Sequence, residues 1–374
     1  MPAVLIDPHT RPTPSAASRR FYRPELDLLR FVAFLMVFLC HGVPSDGGPF
    51  RIYPHLVTLI NSFQSGLQLF FLLSAYLIAE LLLREREQTG AIHLRAFYVR
   101  RALRIWPLYF LTLVTFVLLG RWTHFTLPAF LAYALLVGNW FTYTHGFTAG
   151  VGALSALWSI SVEEQFYLLW PTFARVGGKR LLYGASILFL ATGYLTLYLL
   201  GQRHAPFVKP WTHSLVGFQF FAFGTLLALL LHRRSFSLPP WARLLTLVVA
   251  VRALCWFADL KVHNTGPGLV LAFAALGLGC VCLFLTIYGL HLPRWCAPLL
   301  YLGRISYGLY VFHRPCLALL EWLETRLAVN LSLPSFLVLS LGLTVAGAAL
   351  SHRFVERPFL RLKERFALVK TRST

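Results

Sequence analysis

Two ionisable residues, Arg30 and His41, interrupt the first apolar run of the chain. Ionisable side chains inside a membrane-spanning helix cost about 2.5–3.5 kcal/mol each on insertion scales, so each one marks a candidate site. Eleven positions separate the two residues, or about three helical turns, so both side chains fall on one helix face roughly 16 Å apart along the axis. The pair predicts either a functional site or an arginine that extends to the membrane surface and a satisfied interfacial histidine.

Arg101 and Arg104 form a second candidate site in the basic segment that follows the second apolar run. On a helix, residues three apart lie on one face, so the two form a cationic pair at the membrane surface. Such a pair can hold phosphate bidentately, which suits a nucleotide-like or phosphopantetheine-bearing donor from the cytoplasm. The alternative is a basic anchor that binds lipid headgroups.

Two adjacent carboxylates, Glu163 and Glu164, lie in an otherwise apolar run. Neighbours on a helix point about 100° apart, so at most one of them faces a given cavity. A buried carboxylate is paired or protonated, and His41 or an arginine is a candidate partner. The carboxylate then either orients a general-base histidine or forms a structural ion pair between helices.

Two further ionisable residues, Arg252 and His313, also fall inside apolar runs. We expect Arg252 to pair with a carboxylate or to face a water-filled cavity. Pro315 is expected to kink the helix that carries His313. Glu356, which precedes Arg357 and Pro358, is more typical of a helix-end ion pair and turn than of chemistry.

The elements that position these residues are membrane helices. Of the 374 residues, 57% are hydrophobic and 13% are charged, whereas soluble domains carry about 25% charged residues. This composition excludes an ordinary cytosolic enzyme and a disordered or fibrous chain. The 34 Lys and Arg residues against 14 Asp and Glu give a net charge of +20, which in a membrane protein collects on the cytoplasmic side. The hydropathy favours this interpretation over a nucleic-acid-binding groove.

Eleven apolar runs are about long enough to cross ~30 Å of hydrocarbon as helices. They lie near 27–43, 62–83, 105–121, 127–143, 155–171, 181–200, 213–232, 240–258, 267–289, 305–324 and 334–351. The run at 127–143 is short and ends in polar residues. If it is re-entrant or interfacial, all basic segments return to the cytoplasmic side. The sequence therefore predicts an all-α polytopic membrane protein with about ten transmembrane helices and both termini in the cytoplasm.

The charge distribution also divides the chain. Residues 1–25 form a polar N-terminal arm, 26–352 the membrane domain, and 353–374 a basic tail that can form an interfacial amphipathic helix. We expect no signal peptide, because the arm lacks an apolar core followed by a cleavage site. The six cysteines lack metal-ligand spacing, and we expect small buried side chains without a disulfide framework.

Together, these motifs resemble the acyltransferase 3 family of integral membrane acyltransferases, which act on bacterial O-antigens, exopolysaccharides and macrolides. The matching segments cover nearly the whole chain in the family's order: PELDLLR at 24–30, His41, GLQLFFLLSAYLI at 66–78, RALR at 101–104, WSISVEEQFY at 158–167, LGRISYGLYVFH at 302–313 and VERPF at 355–359.

The resemblance implies a bacterial inner-membrane O-acyltransferase. Such a protein moves an acyl group, usually acetyl, from cytoplasmic acyl-CoA to a hydroxyl, commonly of a carbohydrate. The catalytic residues that it implies are His41 as general base and Glu163 as its acidic partner. The resemblance further implies donor-binding roles for Arg30, Arg101 and Arg104, and we expect support from Glu164, Arg252 and His313.

The expected co-substrate is acyl-CoA, with no permanently bound cofactor and no metal. The acceptor is expected to be the hydroxyl of a polysaccharide, a glycolipid or a macrolide. The lipid bilayer is the other expected partner, and nucleic acid is not. Both direct transfer and a transient acyl-histidine are compatible with this pattern.

The chain departs from the family pattern at two positions. Gln68 stands where the family often has Asp, so no catalytic role is assigned there, and Ala75 stands where Gly is usual, which affects local packing. We expect no SGNH-type hydrolase domain after the last run, so a step that fused relatives assign to that domain is expected to occur elsewhere or to be unnecessary.

Two other protein classes remain open at this stage. A transporter or flippase for lipid-linked sugars could use buried Arg, His and Glu residues as a pathway. A structural membrane scaffold would need no chemistry at all. Binding of CoA that depends on Arg101 and Arg104 distinguishes the enzyme from both.

Overall fold

The structure of the chain is a computed structural model that describes residues 21–119, 126–147, 152–234, 236–260 and 265–369. All of the regular elements in these residues are helices, so the fold is all-α, as predicted. The helices are α1 (Pro24–Gly42), α2 (Pro54–Ser62), α3 (Gly66–Thr89), α4 (Leu94–Leu118), α5 (Leu127–Ala134), α6 (Gly138–His145), α7 (Trp158–Gln202), α8 (Val208–Thr212), α9 (Ser214–Leu231), α10 (Pro240–Leu260), α11 (Gly266–Ile287), α12 (Ala297–Arg304), α13 (Ser306–Leu327), α14 (Leu333–Ser351) and α15 (Arg357–Glu364).

Seven helical segments in the described residues are long and apolar enough to cross a membrane. Helix α1 falls outside this set because its 19 residues include Glu25, Asp27 and Arg30. Helix α13 also falls outside it and carries four charged residues among 22. The protein is thus a polytopic helical membrane protein, and the number of crossings stays a prediction.

Helix α7 is 45 residues long and is broken at Gly178, where φ is 56° and ψ is −141°. A side chain is disfavoured there because φ is positive, and a Cβ would also displace the guanidinium of Arg86. The runs at 155–171 and 181–200 are therefore joined without a loop, because the chain is helical on both sides of the break. The two halves have 20 and 24 residues on either side of Gly178, so each is long enough to cross the ~30 Å of a bilayer core.

The run at 127–143 does not form one long helix. It is divided into α5 and α6, which have eight residues each, so each extends only about 12 Å. Leu136 between them has a positive φ of 59°, and the backbone N–H of Gly138 donates to Oγ of Ser161 in α7. Neither helix can cross a bilayer alone, which agrees with the predicted re-entrant or interfacial segment.

The basic segments meet at one end of the helix bundle. Arg86 at the end of α3 donates to the carbonyl of Ala174 in α7. His232, just after α9, lies between Glu80 and Glu87 of α3, at 2.8 and 2.9 Å. The charge pattern predicts this clustering. Which side of the membrane this end faces stays a prediction.

Helix α3 occupies the middle of the bundle and packs against α1, α7, α9 and α11. Its contact with α9 is closest at Gly224, where a Cβ would lie 2.1 Å from the carbonyl oxygen of Leu72 and 2.9 Å from Cβ of Ala75. The methyl group that Ala75 adds to the family pattern is thus accommodated by a glycine on the facing helix.

Two short helices complete the basic end. Helix α12 packs against the start of α1, and a Cβ at Gly303 would lie only 1.8 Å from the carbonyl oxygen of Asp27. A π turn over His352–Glu356 joins α14 to α15, and α15 packs against α4. Helices α1, α4, α12 and α15 therefore surround one region at this end.

Candidate active site

A cavity of about 380 Å³ lies at the basic end of the bundle, enclosed by α1, α3, α4, α7, α13 and the segment from α15 onward. Its walls carry four carboxylates and seven arginine or lysine side chains. The cationic residues are Arg23, Arg30, Arg100, Arg101, Arg104, Arg304 and Lys363. The excess of positive charge makes the cavity suited to an anionic ligand.

The predicted donor-binding pair, Arg101 and Arg104, lies in the wall of this cavity. The guanidinium of Arg101 lies 5.3 Å from the ring centroid of Tyr167. In the described part of the chain, no carboxylate oxygen lies within 4.0 Å of either arginine, whereas the adjacent Arg100 pairs with Glu85 at 2.9 Å. Enclosed cations without a direct ion-pair partner are costly, and an anionic ligand would reduce that cost.

Arg30 lines the same cavity from α1. Its Nη1 lies 3.7 Å from Oδ1 of Asp27, one turn earlier, and Tyr22 donates to Oδ2 of Asp27 at 2.9 Å. Arg30 is thus held by a long ion pair and keeps hydrogen-bonding capacity toward the cavity. This placement agrees with the predicted position of Arg30 near the donor.

Glu163 also lines the cavity, but its partners differ from the predicted one. Its carboxylate accepts hydrogen bonds from Oγ of Ser74 at 3.0 Å and from the hydroxyl of Tyr167 at 3.1 Å. The predicted pairing of Glu163 with His41 is therefore not formed. Glu164 points elsewhere and accepts from Nε1 of Trp106 at 3.3 Å, outside the residues that line the cavity.

The partner of His41 is a second histidine. Nδ1 of His41 lies 3.0 Å from Nε2 of His313, and Nδ1 of His313 contacts the backbone carbonyl of Tyr310. A carbonyl oxygen only accepts, so Nδ1 of His313 carries the proton and its Nε2 accepts from Nδ1–H of His41. Because a neutral imidazole carries one proton and that of His41 is on Nδ1, its Nε2 is unprotonated, as a general base requires.

The two histidines differ in accessibility. His313 is fully buried, with 0% of its surface exposed, whereas the side chain of His41 at the end of α1 is exposed. His41 is not among the residues that line the basic cavity, which ends at Ser159 and Tyr310. Tyr310 donates to the carbonyl of Ala156 at 2.8 Å and lies 2.8 Å from Oγ of Ser159. Tyr310 thus separates the cavity from the histidine pair.

Arg314 is a residue that sequence reasoning did not assign to the site. It follows His313 in α13, and its charge acts on both His41 and His313. Its Nε is buried without a hydrogen-bond partner in the described residues. The sequence signal that could have revealed it is an arginine directly after a histidine inside an apolar run.

Arg252 does not belong to this site. Its side chain is exposed on α10 and does not line the cavity, and no carboxylate of the described residues pairs with it within 4.0 Å. Arg252 thus lies apart from the residues that line the cavity, and its support of the site stays a prediction. The described residues also contain no group of three or more His, Cys, Asp or Glu side chains that could hold a metal ion.

Comparison with known proteins identifies the class. The profile of the family described as an acyltransferase domain matches residues 23–353. The chain therefore belongs to the acyltransferase 3 family and carries the integral membrane acyltransferase domain that defines it.

Several curated relatives share this domain. The chain is 29% identical over 323 residues to the putative peptidoglycan O-acetyltransferase YrhL of Bacillus subtilis, which covers 78% of this chain and 50% of the relative. It is 27% identical over 375 residues to the peptidoglycan O-acetyltransferase OatA of Listeria monocytogenes, covering 91% and 56%. A putative O-acetyltransferase of Staphylococcus aureus is 25% identical over 368 residues, covering 90% and 57%. The chain spans about half the length of these relatives, and no solved structure matches it.

Proposed function

We propose that the protein is a membrane O-acyltransferase that moves an acetyl group from acyl-CoA to a hydroxyl of a carbohydrate-type acceptor. The observation that carries this proposal is the relation of the two halves of the site. A cavity whose Arg101 and Arg104 form no ion pair with the described residues lies on one side of Tyr310, and a histidine whose Nε2 is unprotonated lies on the other.

The donor half is suited to CoA. Arg101 and Arg104 have no carboxylate partner in the described residues, and phosphate oxygens can accept hydrogen bonds from both guanidinium groups. The cavity continues past Arg30 to Ser159 and Tyr310. An acyl thioester at the end of the pantetheine arm would reach the inner end of the cavity while the phosphates stay with the arginines. The positive-inside rule favours a cytoplasmic position for this half, on the side where acyl-CoA is made.

The acceptor half contains the base. Nε2 of His41 takes the proton of the acceptor hydroxyl as its oxygen attacks the thioester carbonyl, and a tetrahedral oxyanion forms. The carbon–sulfur bond then breaks, the thiolate of CoA receives the proton from His41, and the products are the ester and free CoA. His313 holds His41 in the required tautomer throughout. A transient acyl-histidine is the alternative path and uses the same Nε2.

Arg314 is suited to stabilise the oxyanion. It lies beside both histidines, and its buried Nε has no partner in the described residues. A fixed cation beside the position where negative charge develops lowers the barrier without reorganisation. Conformational movement of Tyr310 would be needed to bring the thioester to this position.

The relatives provide the acceptor class. Two of them are named for O-acetylation of peptidoglycan, which is a carbohydrate polymer. We propose a carbohydrate hydroxyl for this chain too, with polysaccharide, glycolipid and macrolide as the acceptors to compare. Acyl-CoA is the proposed co-substrate, and the mechanism uses no permanently bound cofactor.

The test uses the full chain in proteoliposomes supplied with [¹⁴C]acetyl-CoA and a panel of these acceptors. Label is expected in one acceptor class, and release of free CoA is expected in equal amount. The variant His41→Ala should fold and bind CoA but transfer no label. His55→Ala, at a solvent-exposed histidine on α2, is the matched control and should retain full transfer.

Two outcomes would contradict the proposal. Full transfer by His41→Ala would exclude His41 as the base. Uptake of a lipid-linked sugar without consumption of acetyl-CoA would favour the transporter that the intramembrane charges also permit.

A further inference from the structure

The segment that begins at α15 forms one wall of the basic cavity. Leu360 and Lys363 of α15 line the cavity, as do Ala367 and Val369 of the segment after it. The composition of this region predicts an amphipathic tail at the membrane interface. Contact with lipid alone would not explain why the segment also encloses a cavity. Its position makes this segment part of the proposed donor site.

The wall is attached by specific contacts. Nη1 of Arg100 donates to the backbone carbonyl of Phe366 at 2.8 Å, while Nη2 of the same guanidinium donates to Glu85 at 2.9 Å. Leu360 is buried where α15 packs against α4. Arg100 therefore connects α4 to α3 and to the segment after α15. Its two hydrogen bonds make it less available to a ligand than Arg101 and Arg104.

Lys363 is different from Arg100. No carboxylate oxygen of the described residues lies within 4.0 Å of its ammonium group. Arg101 and Arg104 are close enough for their charges to act on it. The carboxylate of Glu364 offsets part of this positive charge, and a polyvalent anion in the cavity would offset more of it.

The order of groups in CoA matches the order of cations in the cavity. The thioester is at one end of the molecule, the diphosphate is in the middle, and the ribose 3′-phosphate is at the opposite end. The contacts give the cavity walls a matching order: Tyr307, one turn before Tyr310, donates to the carbonyl of Ile105 next to Arg104, and Arg100, next to Arg101, donates to Phe366, three residues after Lys363. A lysine ammonium is a compact charge that suits a phosphate monoester, whereas the paired arginines suit a diphosphate.

We propose that Lys363, presented by the tail wall, binds the ribose 3′-phosphate of the acyl-CoA donor. This inference rests on the proposed function and adds to it the residue that distinguishes CoA from donors without this phosphate. Because α15 carries Lys363, the C-terminal segment is a substrate-binding element rather than only a membrane anchor.

The test measures binding of two nucleotides, adenosine 3′,5′-bisphosphate and adenosine 5′-monophosphate, to the full chain in detergent. Lys363→Ala is expected to weaken binding of the bisphosphate about tenfold, as for loss of one charge-assisted hydrogen bond. Binding of the monophosphate should stay within about twofold. Arg361→Ala is the matched control, since Arg361 is exposed on the same helix and does not line the cavity.

Transfer assays provide a second measurement. Lys363→Ala should raise KM for acetyl-CoA about tenfold and leave KM for acetyl-3′-dephospho-CoA unchanged. Lys363→Arg should restore most of the affinity and also shows that the position tolerates substitution, should the alanine variant fail to fold. Equal weakening for both donors, or none for either, would overturn the assignment.

The outcomes separate this inference from the proposed function. If the wild-type chain transfers acetyl from acetyl-CoA and Lys363 variants behave as wild type, only the inference fails. If the wild-type chain binds neither acetyl-CoA nor the bisphosphate, the proposed function fails as well. Loss of binding to vesicles of anionic lipid, without any change in nucleotide affinity, would assign Lys363 to lipid headgroups and overturn the proposal.

Discussion

Nδ1 of His41 lies 3.0 Å from Nε2 of His313, although the two residues are 272 positions apart in the chain. His313 is in turn bonded to the backbone carbonyl of Tyr310. The carbonyl determines the tautomer of His313, and His313 determines the tautomer of His41. A buried neutral histidine thus takes the place that a carboxylate occupies in the more familiar base-and-orienter pairs.

This relationship predicts the effect of removing the second histidine. His313→Leu leaves Nδ1–H of His41 without an acceptor and should lower kcat about tenfold or more with little change in KM for acetyl-CoA. His313→Gln, whose amide oxygen can accept the same hydrogen bond, should recover part of kcat. Steady-state kinetics of both variants provide the check. Equal activity of the leucine and glutamine variants would show that His313 does not act through this bond.

Glu163 should behave differently from His313, because it contacts the cavity and not the base. Glu163→Gln weakens the hydrogen bond from Tyr167, whose ring supports Arg101 at 5.3 Å. The expected result is a severalfold higher KM for acetyl-CoA at nearly unchanged kcat. The same steady-state assay distinguishes the two roles, and a loss confined to kcat would restore Glu163 as the partner of the base.

The arginine pair predicts CoA-dependent stabilisation. A ligand that binds only the folded state at 100 times its Kd stabilises that state by about 2.7 kcal/mol. Wild-type protein should therefore show a raised Tm with CoA, and Arg101→Ala combined with Arg104→Ala should abolish the increase. Arg95→Ala is the control, because Arg95 is exposed on the same helix and does not line the cavity. An unchanged increase in the double variant would locate CoA elsewhere.

The close contact between α12 and α1 predicts a large loss of stability on substitution. Gly303→Ala places a Cβ against the carbonyl oxygen of Asp27, so the helices must move apart. Overpacking of this kind costs about 1–3 kcal/mol, and the fixed backbone atom puts this site at the upper limit. Gly184→Ala is the control, since a Cβ there meets no atom within 4 Å, and it should raise stability by about 0.5–1 kcal/mol. Thermal unfolding in detergent measures both, and equal Tm values would contradict the contact.

The junction after α9 predicts a pH dependence of stability. Hydrogen bonding to Glu80, together with that to Glu87, raises the pKa of His232 above its usual value of 6.5. A histidine whose pKa is higher in the folded state stabilises that state fully below pH ~6.5, and the contribution is lost as the pH rises through the folded-state pKa. Unfolding measured from pH 5.5 to 8.5 should show this loss in wild type and a flatter profile in His232→Gln. Parallel profiles would exclude His232 as the titrating group.

The sequence predicted those features that depend on local patterns. Apolar length and the distribution of basic residues are local, and they predicted the helical membrane class and the broken segment that became α5 and α6. The spacing of Arg101 and Arg104 is local too, and both line one cavity. The pairing of His41 with His313 is not local, because it depends on how α1 and α13 pack, and no periodicity encodes that contact.

Arg252 and Glu163 show why the surroundings of a charged residue could not be predicted from the sequence. Helix α10 is apolar on all sides, so periodicity could not show whether Arg252 faces the bundle or its exterior. Glu163 has hydroxyl partners on its own helix and on α3. Hydroxyl groups are common in apolar runs and carry no charge pattern, so the sequence favoured a charged partner instead.

The hydroxyl of Tyr310, bonded to Ala156 and close to Ser159, closes the inner end of the basic cavity. A polar basin that reaches into a membrane would conduct protons and ions if it were open at both ends. In the proposed transfer, the acyl group would pass Tyr310 without a continuous water path through the described part of the site. The reaction would then leave the electrochemical gradient across the membrane intact.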